Sequence, residues 1–292
     1  MKQLFTHTLA SLLLMGLVAT QANAQQFSKR KQYNSIGLSL NAMNYFGDIV
    51  PKTSLPSFRA AATRPNVGIY YMRRFSPRFS GKAALSYGRI SGDDSKTADP
   101  NGAESRYRYN RNMNFRNDIV ELSGMAVFDL IENRNNYLKR PDFVPYLTAG
   151  VAVFRHNPKG ADANGNYVNL QPLQTEGVDY SLTQFAIPFG GGVRYRINKS
   201  FDIGLELITR KTFTDYLDDV SGTYADPSTL APGAAQYFGY GITNSIRNGT
   251  NDFPGFTADD ARRGKDGNDW YTTLGVTVNY ILAPRVKNPK FR

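Results

Sequence analysis

The chain has 292 residues, no cysteine, 18 tyrosines, 18 phenylalanines, 26 glycines and a formal net charge of +11. Without cysteine, and with two histidines, it offers neither a disulfide framework nor the usual zinc ligand sets. Aromatic and glycine richness suits a membrane barrel, which needs aromatic girdles outside and small residues inside; a soluble β-sandwich is the competing reading on composition alone.

Residues 1–24 read as a secretory signal peptide. Lys2 supplies a positive start, an apolar stretch runs from Leu9 to Ala19, and Ala22-Asn23-Ala24 gives a cleavage site before Gln25. No cysteine follows, so no lipid anchor is expected. Beyond the signal no run of about 18 apolar residues occurs, so no transmembrane helix is expected. Export also takes a basic chain away from nucleic acid and towards membrane phosphates or an acidic protein partner. Residues 25–34, with Lys29, Arg30 and Lys31, form a basic segment ahead of the first strand.

Period-2 alternation then predicts eight strands. The first two fall near 35–49 and 66–75. In the third, 79–90, Ala83, Leu85 and Tyr87 oppose Lys82, Ala84, Ser86 and Gly88. In the fourth, 115–130, Val120, Leu122, Ala126 and Phe128 oppose Ile119, Glu121, Ser123 and Met125. The fifth, 143–156, sets Leu147, Val151 and Val153 against Tyr146, Thr148 and Gly150. The sixth, 185–197, carries Phe185, Ile187, Phe189, Val193, Tyr195 and Ile197 on one face and Ala186, Pro188, Gly190, Gly192, Arg194 and Arg196 on the other. The seventh, 201–210, opposes Phe201, Ile203, Leu205 and Leu207 to Asp202, Gly204, Glu206 and Arg210. The eighth, 270–282, opposes Trp270, Leu274, Val276, Val278, Tyr280 and Leu282 to Thr273, Gly275, Thr277 and Asn279.

Long and short connections between these segments take turns, which is the habit of outer-membrane barrels with short periplasmic turns and long outer loops. The fold expected is all-β: an eight-stranded antiparallel transmembrane β-barrel over residues 35–282 with long extracellular loops, in the cell outer membrane. An even strand count puts both termini in the periplasm. Residues 283–292 become a basic periplasmic tail containing Arg285, Lys287, Lys290 and Arg292.

Eight strands leave a lumen that side chains fill. Its charges are expected to be Lys82, Glu121, Arg194, Arg196, Asp202, Glu206 and Arg210. A turn at Asn198–Ser200 would set Arg196 opposite Asp202 and Arg194 diagonal to Glu206. Such a cluster reads as a salt-bridge network in a plugged barrel, or alternatively as a selectivity lining. The segments assigned to the periplasmic side hold fifteen bases, among them Arg73, Arg74, Arg78, Arg134, Lys139, Arg140 and Lys199, against Glu132, Asp142 and Asp202. That face suits phospholipid headgroups or an acidic periplasmic partner.

Catalytic signals are thin. His7 leaves with the signal, so His156 is the one histidine of the mature chain; no serine or carboxylate attaches to it by spacing, and it reads as a polar tip near the outer interface. Asp215, Asp218 and Asp219, with Asp266, Asn268 and Asp269, could hold Ca²⁺ or cap loops in Asx-turns. Gly190-Gly191-Gly192 lies mid-strand and reads as close packing, not a phosphate loop. No enzymatic activity, metal or cofactor is expected.

Three short motifs remain. The run Asp215-Tyr216-Leu217-Asp218-Asp219-Val220-Ser221-Gly222-Thr223-Tyr224 resembles a signature of PorG-like barrels, which belong to the type IX (Por) protein secretion and gliding machinery. Arg263-Gly264 followed by Asp269-Trp270-Tyr271 is similar to that family's closing motif, and Asn44-Tyr45-Phe46-Gly47-Asp48 to its early element. The resemblance implies a non-enzymatic outer-membrane barrel associated with periplasmic ring subunits of that secretion system, and it carries over no catalytic residue. The alternative is a general small barrel that binds a ligand, lipid or surface partner through its outer loops.

Overall fold

The computed structural model describes residues 31–49, 62–98, 101, 108, 111–162, 164–226, 228–241, 263–264 and 267–283. The signal peptide, most of the basic N-terminal segment and the tail bases Arg285, Lys287, Lys290 and Arg292 lie outside them. The described residues form ten strands: β1 (Asn34–Phe46), β2 (Arg64–Arg74), β3 (Phe79–Asp93), β4 (Asn114–Asp129), β5 (Phe143–Arg155), β6 (Pro158–Ala161), β7 (Tyr167–Asn169), β8 (Thr183–Arg196), β9 (Phe201–Thr212) and β10 (Trp270–Leu282).

Eight of them form a closed antiparallel ring in the order β1-β2-β3-β4-β5-β8-β9-β10, sealed where β10 pairs with β1. The remaining two, β6 and β7, make a hairpin above the ring, with β6 paired to the outer end of β4. Sequence patterning misses this hairpin because its strands are four and three residues long and too short to show alternation. Ladder partners followed from Asn34 through Arg73, Gly81, Ala126, Ala149, Phe189, Thr209 and Thr272 lead back to β1 at Asn44, ten residues further on. With eight strands, that stagger tilts the strands by roughly 40° to the barrel axis.

The ring is inside-out relative to a soluble domain. Leu38, Leu40, Val67, Ile69, Leu85, Leu122, Val151, Phe185, Leu205 and Val276 are between 45% and 68% exposed on its outer wall. A continuous apolar belt on this scale requires lipid. At the end with short turns the belt finishes in aromatics, including Phe79 beside Phe128 and Phe201 beside Tyr280, each pair with ring centroids 5.0 Å apart. Connections at that end span 75–78, 130–142 and 197–200; those at the other end are long. The chain is thus an outer-membrane β-barrel with its short turns on the periplasmic side.

Small residues let the interior be filled. A Cβ on Gly190 would come within 2.0 Å of the Leu207 carbonyl oxygen, so glycine there permits close approach of β9. A Cβ on Gly37 would strike the Tyr70 ring, which occupies the lumen instead. Two cavities lined by described residues in the periplasmic half are about 10 and 20 Å³, each room for about one water.

Replacing Leu122, on the outer wall, by arginine tests the lipid assignment. An exposed leucine on a soluble protein would tolerate the change, whereas in a bilayer it costs roughly 2–4 kcal/mol near the midplane. Urea unfolding from lipid vesicles measures the difference, and a loss of that order is expected for Leu122→Arg.

Candidate functional site

The lumen is crossed by ion pairs between strands that are not neighbours. Lys82 on β3 bonds both carboxylate oxygens of Glu206 on β9 at 2.6 and 2.8 Å, and Tyr146 donates to the same carboxylate at 2.8 Å. Arg210 on β9 meets Glu121 on β4 at 2.9 Å, and Tyr271 donates to Glu121 at 2.6 Å. Nearer the periplasm Asp129 takes both Arg74 (2.7 Å) and Arg194 (2.9 Å). Asp202 is held by Arg140 at 2.6 Å. Lys82, Glu121, Arg194, Asp202, Glu206 and Arg210 therefore lie inside the barrel.

Arg196 does not. Its side chain is 27% exposed at the rim, where it pairs with Asp142. The backbone register does set Arg196 opposite Asp202, and Arg194 lies one step from the Gly192–Glu206 pair. The side chains choose otherwise because the lumen is narrow enough for long groups to reach across it. Burial makes the choice matter, since a charge left unpaired there is costly.

The periplasmic rim exposes fewer bases than the sequence suggests. Arg74 and Arg140, expected among the exposed bases, are 2% and 5% exposed. Arg140 donates to the carbonyls of Tyr137, Asn198 and Lys199 as well as to Asp202, pinning the 130–142 turn to the 197–200 turn. Arg73, Lys139 and Lys199 are exposed, and among the described residues they make no ion pair.

At the outer end the three motifs meet. Leu217, Val220 and Tyr224 insert into a buried cluster with Met43, Tyr45, Phe115, Phe154 and Tyr271, closing the mouth of the barrel. Asp269 accepts from the Leu217 N–H at 2.8 Å and the Tyr45 hydroxyl at 2.7 Å. Asp218 accepts from the N–H groups of Ile49 and Val220. Asp219, at φ +68°, accepts from the Tyr180 and Thr175 hydroxyls at 2.6 and 2.5 Å. Arg263 donates to the Asp219 carbonyl (2.6 Å), to Thr175 (2.7 Å) and to Glu176 (3.2 Å). Glu176 in turn accepts from the backbone of Ser221 and Gly222, and Ser221 donates to Asp215 at 2.8 Å.

Glycine at 264 lets this strap sit close, because a Cβ would come within 2.8 Å of the Ser221 carbonyl. Arg111 reaches in from the β3–β4 connection, bonding Asp94 twice and the carbonyls of Arg263 and Asp48. Tyr216 stacks on Tyr180 at 4.5 Å on the cap's flank. Of the last motif, Tyr271 faces the lumen while Trp270 faces outward against Phe189, with Lys211 over its ring. Arg111, Asp94, Thr175, Glu176 and Tyr180 were not legible as site residues, since each joins the motifs only through tertiary contact.

His156 is not an interfacial tip: it is 1% exposed beneath this cap, with Nδ1 3.3 Å from the Asn117 amide nitrogen and its ring parallel to Tyr180. Burial pushes its pKa down to about 4, so the ring is neutral at physiological pH. None of its hydrogen bonds among the described residues involves a carboxylate or a hydroxyl nucleophile. Asp215, Asp218, Asp219 and Asp269, weighed as Ca²⁺ ligands or loop caps, accept from N–H and O–H donors, and among the described residues no three acids converge as a metal site. Asp266 lies outside those residues.

Burial holds the carboxyls of Asp218 and Asp269 well above the ordinary range, and Asp48 beside Asp218 reinforces the shift. Asp215 is pushed up to about 7, by burial first and then by Asp218. These groups bind protons more tightly in the closed cap than when it unfolds. Their contribution is complete below the unfolded carboxylate pKa of about 3.9 and declines as pH rises, for Asp215 through about 7. His156 acts oppositely: its contribution is present above about 6.5 and is lost as pH falls through about 4. Amide exchange at Leu217 and Val220 is therefore expected to quicken between pH 6 and pH 8 beyond the intrinsic base catalysis, by an increment that Asp215→Asn reduces. Arg263→Gln leaves Asp219 buried without its cation, and exchange across the cap should report a loss of roughly 3–5 kcal/mol.

No curated protein matches the chain. Among solved structures it is similar to the attachment invasion locus protein Ail of Yersinia pestis, at 9% identity and a TM-score of 0.40, covering 86% of this chain and 99% of that one. Neisserial surface protein A is similar at 10% identity and a TM-score of 0.38, covering 85% and 96%. The outer membrane protein OprG of Pseudomonas aeruginosa is similar at 8% identity and a TM-score of 0.37, covering 89% and 99%. Residues 11–246 match the family described as "Domain of unknown function (DUF6089)", and the chain belongs to that family.

Proposed function

We propose that this protein is a non-enzymatic outer-membrane component of a protein secretion machinery of the type IX (Por) and gliding class, docking periplasmic ring subunits through its basic periplasmic face. The observation that carries the reading is a filled barrel standing above a rim with unneutralised bases at Arg73, Lys139 and Lys199. A filled lumen supports a role performed on surfaces. A rigid basic rim supports an acidic protein as the contact, with charge setting orientation and encounter rate. Lys29 and Arg30 before β1, and Arg285, Lys287, Lys290 and Arg292 after β10, extend the same charge along the chain. The motif resemblance at 215–224 and 263–271 supports the secretion assignment in particular. The isolation of His156 supports the absence of catalysis.

A second reading is a small barrel that binds a ligand, lipid or surface partner with its outer loops. The ordered cap, built from 213–224 and Arg263 and held by at least three buried carboxylates, favours it by offering a fixed platform.

Purification from mild detergent separates the two. Secretion-ring subunits are expected to co-purify with the wild-type chain, and reversal of charge at Lys287, Lys290 and Arg292 is expected to reduce their recovery several-fold, more so in high salt. A deletion strain that exports its secreted proteins normally would contradict the secretion reading.

A further inference from the structure

The outer wall of the barrel carries a second charged surface, at the opposite end from the periplasmic rim. On three adjacent strands the apolar belt stops abruptly at charge. On β3, Leu85 and Tyr87 give way to Arg89; on β4, Leu122 and Val120 give way to Asp118 and Arg116; on β5, Val151 and Val153 give way to Arg155. Ladder pairing sets Arg89 beside Asp118, Val120 beside Arg155, and Arg116 beside Lys159 of β6.

Arg89, Arg116, Arg155 and Lys159 therefore gather about Asp118 on the lipid-facing side. Arg89 Nε bonds Asp118 Oδ1 at 2.5 Å, and Asp93, further out on the same face of β3, pairs with Lys96 at 3.0 Å. The Arg116 guanidinium lies 4.0 Å from the centroid of the Tyr167 ring, which holds it against the β6–β7 hairpin. Arg155 is exposed, and neither Arg155 nor Lys159 forms an ion pair among the described residues. Towards the bilayer centre, and to the β3 side of the patch, Tyr87 and Val120 open an apolar groove of about 610 Å³ that runs sideways across β3, β2 and β1 to β10, past Leu85, Ile69, Leu38 and Val276.

We propose that this composite surface is a binding site for a phosphate-bearing lipid of the outer leaflet, with the headgroup on Arg116, Arg155 and Lys159 and an acyl chain in the groove. Three features select that occupant. The patch sits at the height where an outer-leaflet headgroup meets the belt. Its net charge is positive, and guanidinium groups bond phosphate oxygens in pairs. The groove begins at Tyr87 and Val120, within one ladder step of the bases, so one molecule satisfies both parts. The site is independent of periplasmic docking and would stand if that reading failed.

The test uses the full-length protein in neutral detergent micelles, with binding read by native mass spectrometry. The probes are bis-phosphorylated lipid A, the same lipid stripped of its phosphates, and inorganic phosphate. The phosphorylated lipid is expected to bind at least tenfold tighter than the stripped one. Arg116→Gln/Arg155→Gln/Lys159→Gln should remove that preference, and Asp118→Asn, which deletes the competing carboxylate, should strengthen it. Heat-shifted gel mobility checks that each variant folds; if the triple variant does not, Arg155→Glu and Asp118→Asn are compared, with opposite changes expected. Equal binding of the two lipids, or a preference unchanged in both directions, would overturn the proposal. Displacement of the lipid by equimolar inorganic phosphate would also overturn it, leaving only a free-anion site.

Discussion

Closure of β10 onto β1 is the constraint from which the rest of the structure follows. In hydrocarbon an unpaired backbone N–H or C=O has no water to turn to, so a sheet that spans a bilayer cannot keep an edge. Thirteen consecutive residues of β1 pair with β10, from Asn34 opposite Leu282 to Phe46 opposite Trp270. Once the ring is closed, alternation divides each strand between lipid and lumen. Leu38 and Leu40 then belong outside, and Ser39 and Asn41 inside.

The lumen inherits a problem that a soluble core does not have. It must be filled by the face that avoids lipid, which here means tyrosines, glycines and charges. The solution is pairing across the bore: Lys82 with Glu206, Arg210 with Glu121, Arg194 with Asp129 and Arg140 with Asp202. Each end has its own closure. Arg140 draws two periplasmic turns together, while Leu217, Val220 and Tyr224 plug the outer mouth under a strap centred on Arg263. Carboxyls buried in that strap link its stability to pH, with Asp215 titrating nearest neutrality.

Much of the barrel was legible because lipid enforces a strict period of two. Phe185, Ile187 and Phe189, or Leu274, Val276 and Val278, can be read from sequence since that face of each strand turns to lipid. Interior partners are another matter. Lys82 and Glu206 are 124 residues apart, and no local spacing rule connects them. The hairpin rule set Arg196 opposite Asp202 correctly in register, yet could not foresee that Arg140, 62 residues from Asp202, would take that carboxylate. The motifs at 44–48, 215–224, 263–264 and 269–271 stood out as patterns, but their common location at the outer mouth depends on Arg111, Thr175 and Glu176, which only the folded chain brings in. The β6–β7 hairpin was invisible because seven strand residues split in two carry no usable period.

With the bore blocked at several levels, the surfaces become the working parts: a basic rim facing the periplasm, an ordered cap facing outward, and a belt of lipid contacts between them. Such a barrel is closed to flow. Reconstitution of the full chain into planar lipid bilayers tests it most directly. No sustained ionic current is expected at moderate voltage, and a steady open-channel conductance would mean that the bore is open.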